Sequence, residues 1–231
     1  MSLRPGEPGV APGRPFVHPA LFYLGDEEYL AGTVPFVRAG LDTGEPVAVA
    51  VPAARLALLR AALGDAAGRV TWLDMSEAGR NPGRIIPGVL REFADRHTGG
   101  RVRIIGEPIW PGRSATEYPA CAQHEALINL AFEGREVTIL CPYDLAGLDA
   151  GVIADARATH PVVIDRDGER ASGDYAPHRV IEDYNRPLPE PVDAVTMGFD
   201  LHALPSCGSS RAAGPRGSAS GPPPWATWSS P

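Results

Sequence analysis

The chain has 231 residues, 44% of them hydrophobic, which is enough to bury the core of one ordinary domain. Its formal net charge of −7, without a basic run, argues against nucleic acid and anionic membrane surfaces as partners. No apolar run approaches the roughly 18 residues of a membrane span, and the N-terminus lacks the apolar core of a signal peptide. Three cysteines without C-x-x-C spacing favour a reduced, cytoplasmic protein.

From residue 20 onward, short β-rich runs alternate with helical patterns, which predicts a mostly parallel α/β sheet flanked by helices. Asp26 is the expected N-cap of the first helix, which ends at Gly44. Pro35 interrupts its pattern and predicts a kink or a late start. Further helices are predicted over residues 53–63, 89–96, 114–132 and 151–158. Strands are predicted over residues 21–24, 47–51, 69–73, 101–106, 136–141 and 162–164, with an edge strand after a turn at 167–168.

The composition divides the chain into four parts. We expect residues 1–17 to be a flexible arm and residues 18–185 to form the single α/β domain. Residues 186–206 carry several prolines and then the start of a new pattern, which indicates a linker and the remnant of a second domain. Residues 207–231 lack Leu, Ile, Val, Phe and Met, so we expect a disordered tail and hypothesise a frameshift in the gene.

Polar and aromatic side chains follow the first, fourth and fifth predicted strands. Ligands bind at the carboxyl ends of parallel strands in open α/β sheets, so we expect these groups to converge on one pocket for a small molecule. The alternative is that they cap helices, pair with arginines or fill the core. The strand-end candidates are Tyr23, Asp26, Glu27, Glu107, Trp110, Cys141, Tyr143 and Asp144.

Three further candidates lie elsewhere. Glu125 and Asn129 share a face of the helix over residues 114–132, where they form either an internal hydrogen bond or a ligand contact. His18 precedes the first strand and His160 precedes the sixth. We include His18, Glu125 and His160 among the candidate ligand-binding residues.

A metal site is weighed and not predicted. The pair Cys121-x-x-His124 lies on a helix, with Cys141, His18 and His160 as partners elsewhere in the chain. No second closely spaced pair exists, and a buried free cysteine behaves as a small hydrophobic residue. We therefore expect neither a metal nor another cofactor.

Catalysis is not predicted either. Pro142 follows Cys141 and has no N–H to donate to an oxyanion, so the sequence disfavours Cys141 as a catalytic nucleophile. The first strand-to-helix turn carries Asp26, Glu27 and Glu28, and the chain contains no lysine. A P-loop needs a glycine-rich turn and a lysine that reaches the phosphates, so nucleotide hydrolysis is disfavoured.

Several separated motifs resemble the MEDS sensory domain, whose name stands for methanogen and methylotroph regulators. The resemblance spans about residues 16–185. It is carried by the segments His18-Pro19-Ala20-Leu21-Phe22-Tyr23, 36–45, Gly106-Glu107-Pro108-Ile109-Trp110, His124-Glu125-Ala126-Leu127-Ile128-Asn129, Leu140-Cys141-Pro142-Tyr143-Asp144 and Ala158-Thr159-His160-Pro161.

The resemblance implies a RecA/KaiC-like domain that has lost its P-loop and senses small hydrocarbon derivatives. In actinobacterial relatives such a domain precedes a histidine-kinase-like ATPase domain of the anti-sigma-factor type, which implies an anti-sigma or anti-anti-sigma signalling partner. The segment 195–205 resembles the opening of that ATPase domain, whose remaining motifs are missing. A protein-interaction scaffold without a small ligand is the main alternative, and a homo-oligomer stays among the options. The family pattern falls on His18, Tyr23, Glu107, Glu125, Cys141, Tyr143, Asp144 and His160.

Overall fold

The computed structural model describes residues 16–187, all but the last of them within the compact unit Met1–Arg186. These residues form one eight-stranded sheet. Its strands are β1 (Phe16–Val17), β2 (Pro19–Tyr23), β3 (Val47–Val51), β4 (Thr71–Asp74), β5 (Val102–Gly106), β6 (Val137–Asp144), β7 (Val162–Asp165) and β8 (Gly168–Ala171). The spatial order is β4-β3-β5-β6-β2-β7-β8, with β1 paired to β6. Every pairing is parallel except the β7–β8 hairpin.

Seven α-helices flank this sheet in the described part of the chain. They are α1 (Gly25–Asp42), α2 (Ala53–Leu63), α3 (Met75–Ala78), α4 (Glu92–Arg96), α5 (Tyr118–Ala131), α6 (Ala150–Thr159) and α7 (Pro177–Tyr184). Two short 3-10 turns (Gly64–Arg69 and Pro82–Arg84) and a π-helical turn (Ile86–Arg91) that runs into α4 complete the structure. None of these helices combines the length and apolar character that crossing a membrane requires.

The sheet separates two apolar cores because successive strand residues point to opposite faces. On β2, Leu21 and Tyr23 face the core under α1 and α2, whereas Ala20 and Phe22 face the core under α4, α5 and α6. Helix α7 packs outside α5, with Val180 buried against Ala122 and Ala126. The result is a three-layer α/β/α arrangement in which both faces of the sheet are covered.

The sequence prediction for the first helix is corrected at two points. The helix begins at Gly25 after Leu24, so Asp26 lies inside the first turn and does not cap it. Helix α1 also runs unbroken through Pro35, so the expected late start is wrong. Proline there removes one hydrogen bond to the carbonyl of Ala31, and Pro35 and Ala31 are both exposed, so water can satisfy that carbonyl.

Three other boundaries differ from the prediction. Helix α5 begins at Tyr118 and not at residue 114, because Pro119 suits the first turn of a helix. Strand β6 continues through Asp144, since residues 142–144 pair with residues 21–23 of β2. Phe16–Val17, predicted as the end of a flexible arm, form β1 beside β6. The rest of the predicted arm, residues 1–15, and the predictions for residues 188–231 lie outside the described residues.

Candidate functional site

The structure distributes the candidate residues over three groups instead of one pocket. Within the described residues, the first group is a buried cluster beneath the sheet, and the second surrounds Arg55 at the carboxyl ends of β2 and β3. The third lines an open pocket that contains Trp110. Glu27 joins none of them and lies exposed on α1.

The buried cluster consists of His18, Glu125, Cys141 and His160. Their potential ligand atoms all lie within 4.8 Å of one another, and no side chain is more than 1% exposed. His160 Nε2 lies 3.0 Å from Glu125 Oε2, and His18 Nε2 lies 3.5 Å from the same oxygen. Cys141 Sγ lies 3.4 Å from His18 Nε2.

Four separate elements bring these side chains together. Parallel pairing of Ala20 with Cys141 places the residue before β2 beside the middle of β6, and pairing of Pro19 with Val162 brings in the end of α6. Glu125 reaches the cluster from α5, which covers this face of the sheet. The expected position of Cys141 at a strand end is wrong, because β6 extends three residues beyond it to Asp144.

Each imidazole contacts the cluster through Nε2 and forms a hydrogen bond outside the cluster through Nδ1. His18 Nδ1 lies 3.2 Å from Asn129 Oδ1, and His160 Nδ1 lies 2.8 Å from the Ala156 carbonyl oxygen. Asn129 itself is fixed because its amide donates to the Thr159 carbonyl at 2.8 Å. The aromatic ring of Tyr143 packs edge-on against His160, with centroids 5.5 Å apart.

Burial and mutual contact shift the pKa values inside the cluster. Burial lowers the pKa of His18 to about 4, and repulsion from His160 adds to this. Burial alone would raise the pKa of Glu125, but contact with His160 and His18 outweighs it, so this pKa lies well below its usual range. Burial and the nearby Glu125 raise the pKa of the Cys141 thiol well above its usual range. The cluster thus combines a carboxylate, a neutral imidazole and a neutral thiol.

The second group surrounds Arg55 at the carboxyl ends of β2 and β3. The guanidinium donates to Asp26 at 2.5 Å and to the Tyr23 hydroxyl at 3.2 Å, and Asp144 lies 4.0 Å away. It also stacks over the Tyr29 ring at 4.5 Å from the centroid. The second group therefore holds an arginine whose donors are directed at groups of the protein itself.

Glu107 is the unusual member of this second group. It is 2% exposed, and its Oε2 has no hydrogen-bond partner within the described residues. Burial raises the pKa of Glu107 to about 8, with Arg55 opposing the shift and Asp144 adding to it. The charge of Glu107 also acts on buried Tyr29, whose hydroxyl likewise has no hydrogen-bond partner among the described residues.

The third group lines an open pocket of about 390 Å³. Its walls come from the loop after β5, the loop after β6 and the three helices α5, α6 and α7. Trp110 and Tyr118 provide aromatic surface, and Arg113 stacks over the Trp110 ring at 4.4 Å from its centroid. The lining also includes Ile109, Pro111, Gly147, Leu148, Asp149, Gly151, Val152 and Tyr184.

A shared carboxylate fixes one wall of this pocket. The hydroxyls of Tyr118 and Tyr184 both donate to Asp155 Oδ2, and the Tyr118 contact measures 2.6 Å. The two rings meet edge to face with centroids 5.7 Å apart. Because Tyr184 is the last residue of α7, this hydrogen-bond network links the pocket to the end of the described fold.

A larger pocket of about 670 Å³ lies at the opposite edge of the sheet, beside α1. It is lined by residues at the starts of strands, including Pro19, Arg103, Thr138 and Val162. Ligand sites in open α/β sheets lie at the other edge, outside the carboxyl ends of the strands. The Trp110 pocket meets that criterion, and we take it as the candidate binding site.

All four residues of the buried cluster were sequence candidates, whereas the residues that complete the second and third groups were not. Arg55 lies in the first turn of α2, directly after β3. The predicted order of elements therefore places Arg55 at the carboxyl end of β3, but no sequence pattern indicates which residues it contacts. The network of Tyr118, Asp155 and Tyr184 depends on α7, for which no helix was predicted. The pair Cys121 and His124, considered for a metal, lies outside the buried cluster.

A family model matches residues 17–161 of the chain. Its description is "MEthanogen/methylotroph, DcmR Sensory domain", abbreviated MEDS. Comparison with curated proteins finds no match to the chain. The matched span contains the whole buried cluster and all but one of the residues that line the Trp110 pocket, Tyr184 being the exception. The chain therefore belongs to the MEDS family of sensory domains.

Proposed function

We propose that the chain is a cytoplasmic sensory module that binds a compact organic molecule in the Trp110 pocket. The observation that carries the proposal is the pocket itself, about 390 Å³ at the carboxyl ends of β5 and β6. Small-molecule sites have volumes of roughly 300–1,000 Å³ and combine apolar walls with a few polar groups. Trp110, Tyr118 and Val152 supply apolar surface, while Arg113 and Asp149 supply opposite charges.

The same pocket offers a route from ligand to output. A bound molecule would contact Tyr184 at the end of α7, and Tyr184 is tied to Tyr118 through Asp155. A ligand shifts a conformational equilibrium only if it interacts differently with the two states. We propose that α7 is the element whose position differs between them, and that a partner of the anti-sigma or anti-anti-sigma type reads that difference.

Two alternatives belong to other classes. A nucleotide-hydrolysing enzyme is disfavoured because Asp26, Glu27 and Glu28 occupy the first turn of α1. Acids at a helix N-terminus are stabilised by the helix dipole, and they repel a phosphate that would otherwise bind there. We accordingly propose no catalytic activity. The second alternative is an interaction scaffold that binds no small ligand. The ends of β2 and β6 fit this alternative, because the buried side chains of Tyr23 and Tyr143 occupy the volume that a ligand would need there. The open pocket at Trp110 does not fit it.

Saturation-transfer NMR on the full chain tests the proposal. The probes are a panel of short-chain alcohols, amines and haloalkanes together with small aromatic compounds, and ATP is included for the enzymatic alternative. We expect at least one organic probe to bind, ATP not to bind, and Trp110→Ala to abolish the signal while the fold is retained by circular dichroism. Absence of binding by every organic probe, or saturable binding of ATP, would overturn the proposal.

A further inference from the structure

Beneath the sheet, away from the Trp110 pocket, the cluster of His18, Glu125, Cys141 and His160 has the composition of a metal site. It holds two imidazole nitrogens, one carboxylate and one thiol, each at most 1% exposed. Burying a carboxylate without a compensating charge costs several kcal/mol, so such a group is normally paired or bound to a metal. Either a proton shared with a histidine or a bound metal cation must compensate the negative charge of Glu125.

The outer hydrogen bonds set the tautomers of both histidines. Asn129 directs its amide N–H groups at backbone carbonyls, so its Oδ1 must accept a hydrogen from His18 Nδ1. The Ala156 carbonyl likewise accepts from His160 Nδ1. In a neutral imidazole, a proton on Nδ1 leaves a lone pair on Nε2. Metal-binding histidines characteristically donate their second N–H in this way, because it fixes the ring and its tautomer.

The inner atoms lack the hydrogen bonds that a protonated pair would make. Both oxygens of Glu125 and Nε2 of His160 have no hydrogen-bond partner of acceptable geometry within the described residues. The 3.0 Å approach of His160 Nε2 to Glu125 Oε2 is therefore a close contact without the alignment of an N–H donor. This arrangement suits two lone pairs that are directed at a common third atom.

The distances also match the edges of a zinc tetrahedron. Zinc bonds of roughly 2.0–2.1 Å to nitrogen and oxygen and 2.3 Å to sulfur give tetrahedral edges of about 3.3 Å for N···O and about 3.6 Å for N···S. The two N···O contacts of the cluster are 3.0 and 3.5 Å, and the N···S contact is 3.4 Å. The other pairs of ligand atoms lie within 4.8 Å of one another, so binding one ion requires the wider pairs to approach by about 1 Å.

We propose that His18 Nε2, His160 Nε2, a carboxylate oxygen of Glu125 and the Cys141 thiolate bind a Zn²⁺ ion. The donor set of nitrogen, oxygen and sulfur in a tetrahedral arrangement favours zinc over calcium or magnesium, which prefer oxygen ligands. Four protein ligands close the coordination sphere, as in structural sites. Binding displaces the thiol proton of Cys141 to solvent and connects β2, β6, α5 and the end of α6. This proposal does not depend on ligand binding at Trp110.

Metal analysis of the full chain tests the site. The protein is expressed with zinc in the medium, desalted and measured by inductively coupled plasma mass spectrometry. We expect stoichiometric zinc in the wild-type chain and its loss in Cys141→Ala. The matched control is Cys121→Ala, a second buried cysteine outside the cluster, which should keep the zinc. Full occupancy by another transition metal, or zinc retained in Cys141→Ala, would overturn the assignment.

A second measurement needs no variant. The chain is stripped with a chelator, checked for folding by circular dichroism and titrated with Co²⁺, which occupies zinc sites and reports a thiolate ligand by a charge-transfer band. We expect a stoichiometric end point, this band, and a higher melting temperature with Zn²⁺ than without it. A folded chain that takes up neither Co²⁺ nor Zn²⁺ would show that the cluster is a protonated histidine–carboxylate network and not a metal site.

Discussion

His160 Nε2 lies 3.0 Å from Glu125 Oε2, although Glu125 lies on α5 and His160 follows α6, and neither is more than 1% exposed. This contact joins the end of α6 to the middle of α5 across the buried face of the sheet. It places a carboxylate among two imidazoles and a thiol, all of them buried. The position explains why the cluster suits a structural ion, whereas the Trp110 pocket, which is open, suits an exchanging ligand.

Asn129 is predicted to be a positioning residue for the proposed zinc. Asn129→Ala removes the acceptor for His18 Nδ1, and loss of such an outer partner typically lowers metal affinity about 10–100-fold. Asn129→Asp keeps an acceptor at His18 and should retain more affinity than the alanine variant. Competition with a colorimetric zinc chelator measures both. Equal affinities for wild type and Asn129→Ala would show that Asn129 has a packing role only.

Glu107 is predicted to make the stability of the chain fall as the pH rises. Its pKa increases from 4.5 to about 8 in the folded state, so between these values the folded chain holds a proton that the unfolded chain has lost. Stability therefore decreases with pH across this interval. Each pKa unit corresponds to about 1.4 kcal/mol, which limits the loss to roughly 5 kcal/mol.

The measurement compares wild type with Glu107→Gln by urea denaturation at a series of pH values. The glutamine variant keeps the size of the side chain and cannot ionise, and contributions from groups that do not interact with Glu107 cancel in the difference. Charges that act on Glu107 come from Arg55 and Asp144. If the difference in free energy of unfolding between the two proteins stays constant with pH, the prediction is wrong.

The ion pair between Arg55 and Asp26 is predicted to contribute little to the free energy of unfolding, whereas the guanidinium of Arg55 stabilises the fold through its other contacts. The Asp26 side chain is 67% exposed, and exposed pairs are worth at most about 1 kcal/mol. Arg55→Met should destabilise the fold by about 2 kcal/mol, because the cation also stacks on Tyr29 and faces buried Glu107. A double-mutant cycle with Asp26→Asn separates the two effects, and a coupling energy above about 1 kcal/mol would refute this division.

Two glycines in the wall of the Trp110 pocket provide a matched pair of variants. A Cβ at Gly147 would lie 2.4 Å from Pro111 Cγ, whereas a Cβ at Gly151 meets no atom within 4 Å. Gly147→Ala must displace Pro111 and reshape the pocket, so we expect a several-fold loss of affinity for a bound probe. Gly151→Ala should leave affinity unchanged and stabilise α6 by up to about 1 kcal/mol. Equal affinities for the two variants would place the ligand elsewhere.

Much of the fold could be predicted from local patterns. Residues 47–51 and 53–63 are a strand and a helix with the predicted bounds, because Gly44 and Gly64 end the neighbouring helices and the apolar period is clear. Strand β1 was missed because two residues carry no periodicity and pair only with β6. The extension of β6 through Pro142 likewise depends on its partner β2.

The candidate residues could be named from the sequence, but their grouping could not. His18 and Cys141 are 123 residues apart, and they meet only through the register of β2 with β6. The spacing Cys121-x-x-His124 drew attention to a possible metal pair on one helix, with His18, Cys141 and His160 as partners, but local spacing could not show that Glu125 and not this pair lies beside them. The ligand-binding roles of these residues remain predictions.

The proposed sensory role requires that a small organic molecule binds beside Trp110. The most direct test is an NMR titration of the full chain with ¹⁵N-labelled tryptophan, with the Trp110 indole signal assigned through Trp110→Phe. Trp72 serves as an internal reference, because its indole donates to the Ala67 carbonyl at 3.0 Å on the α1–α2 side of the sheet. We predict that a probe from the panel shifts the Trp110 signal saturably and leaves that of Trp72 in place. A Trp110 signal that no probe moves would show that this pocket does not bind the compounds of the panel.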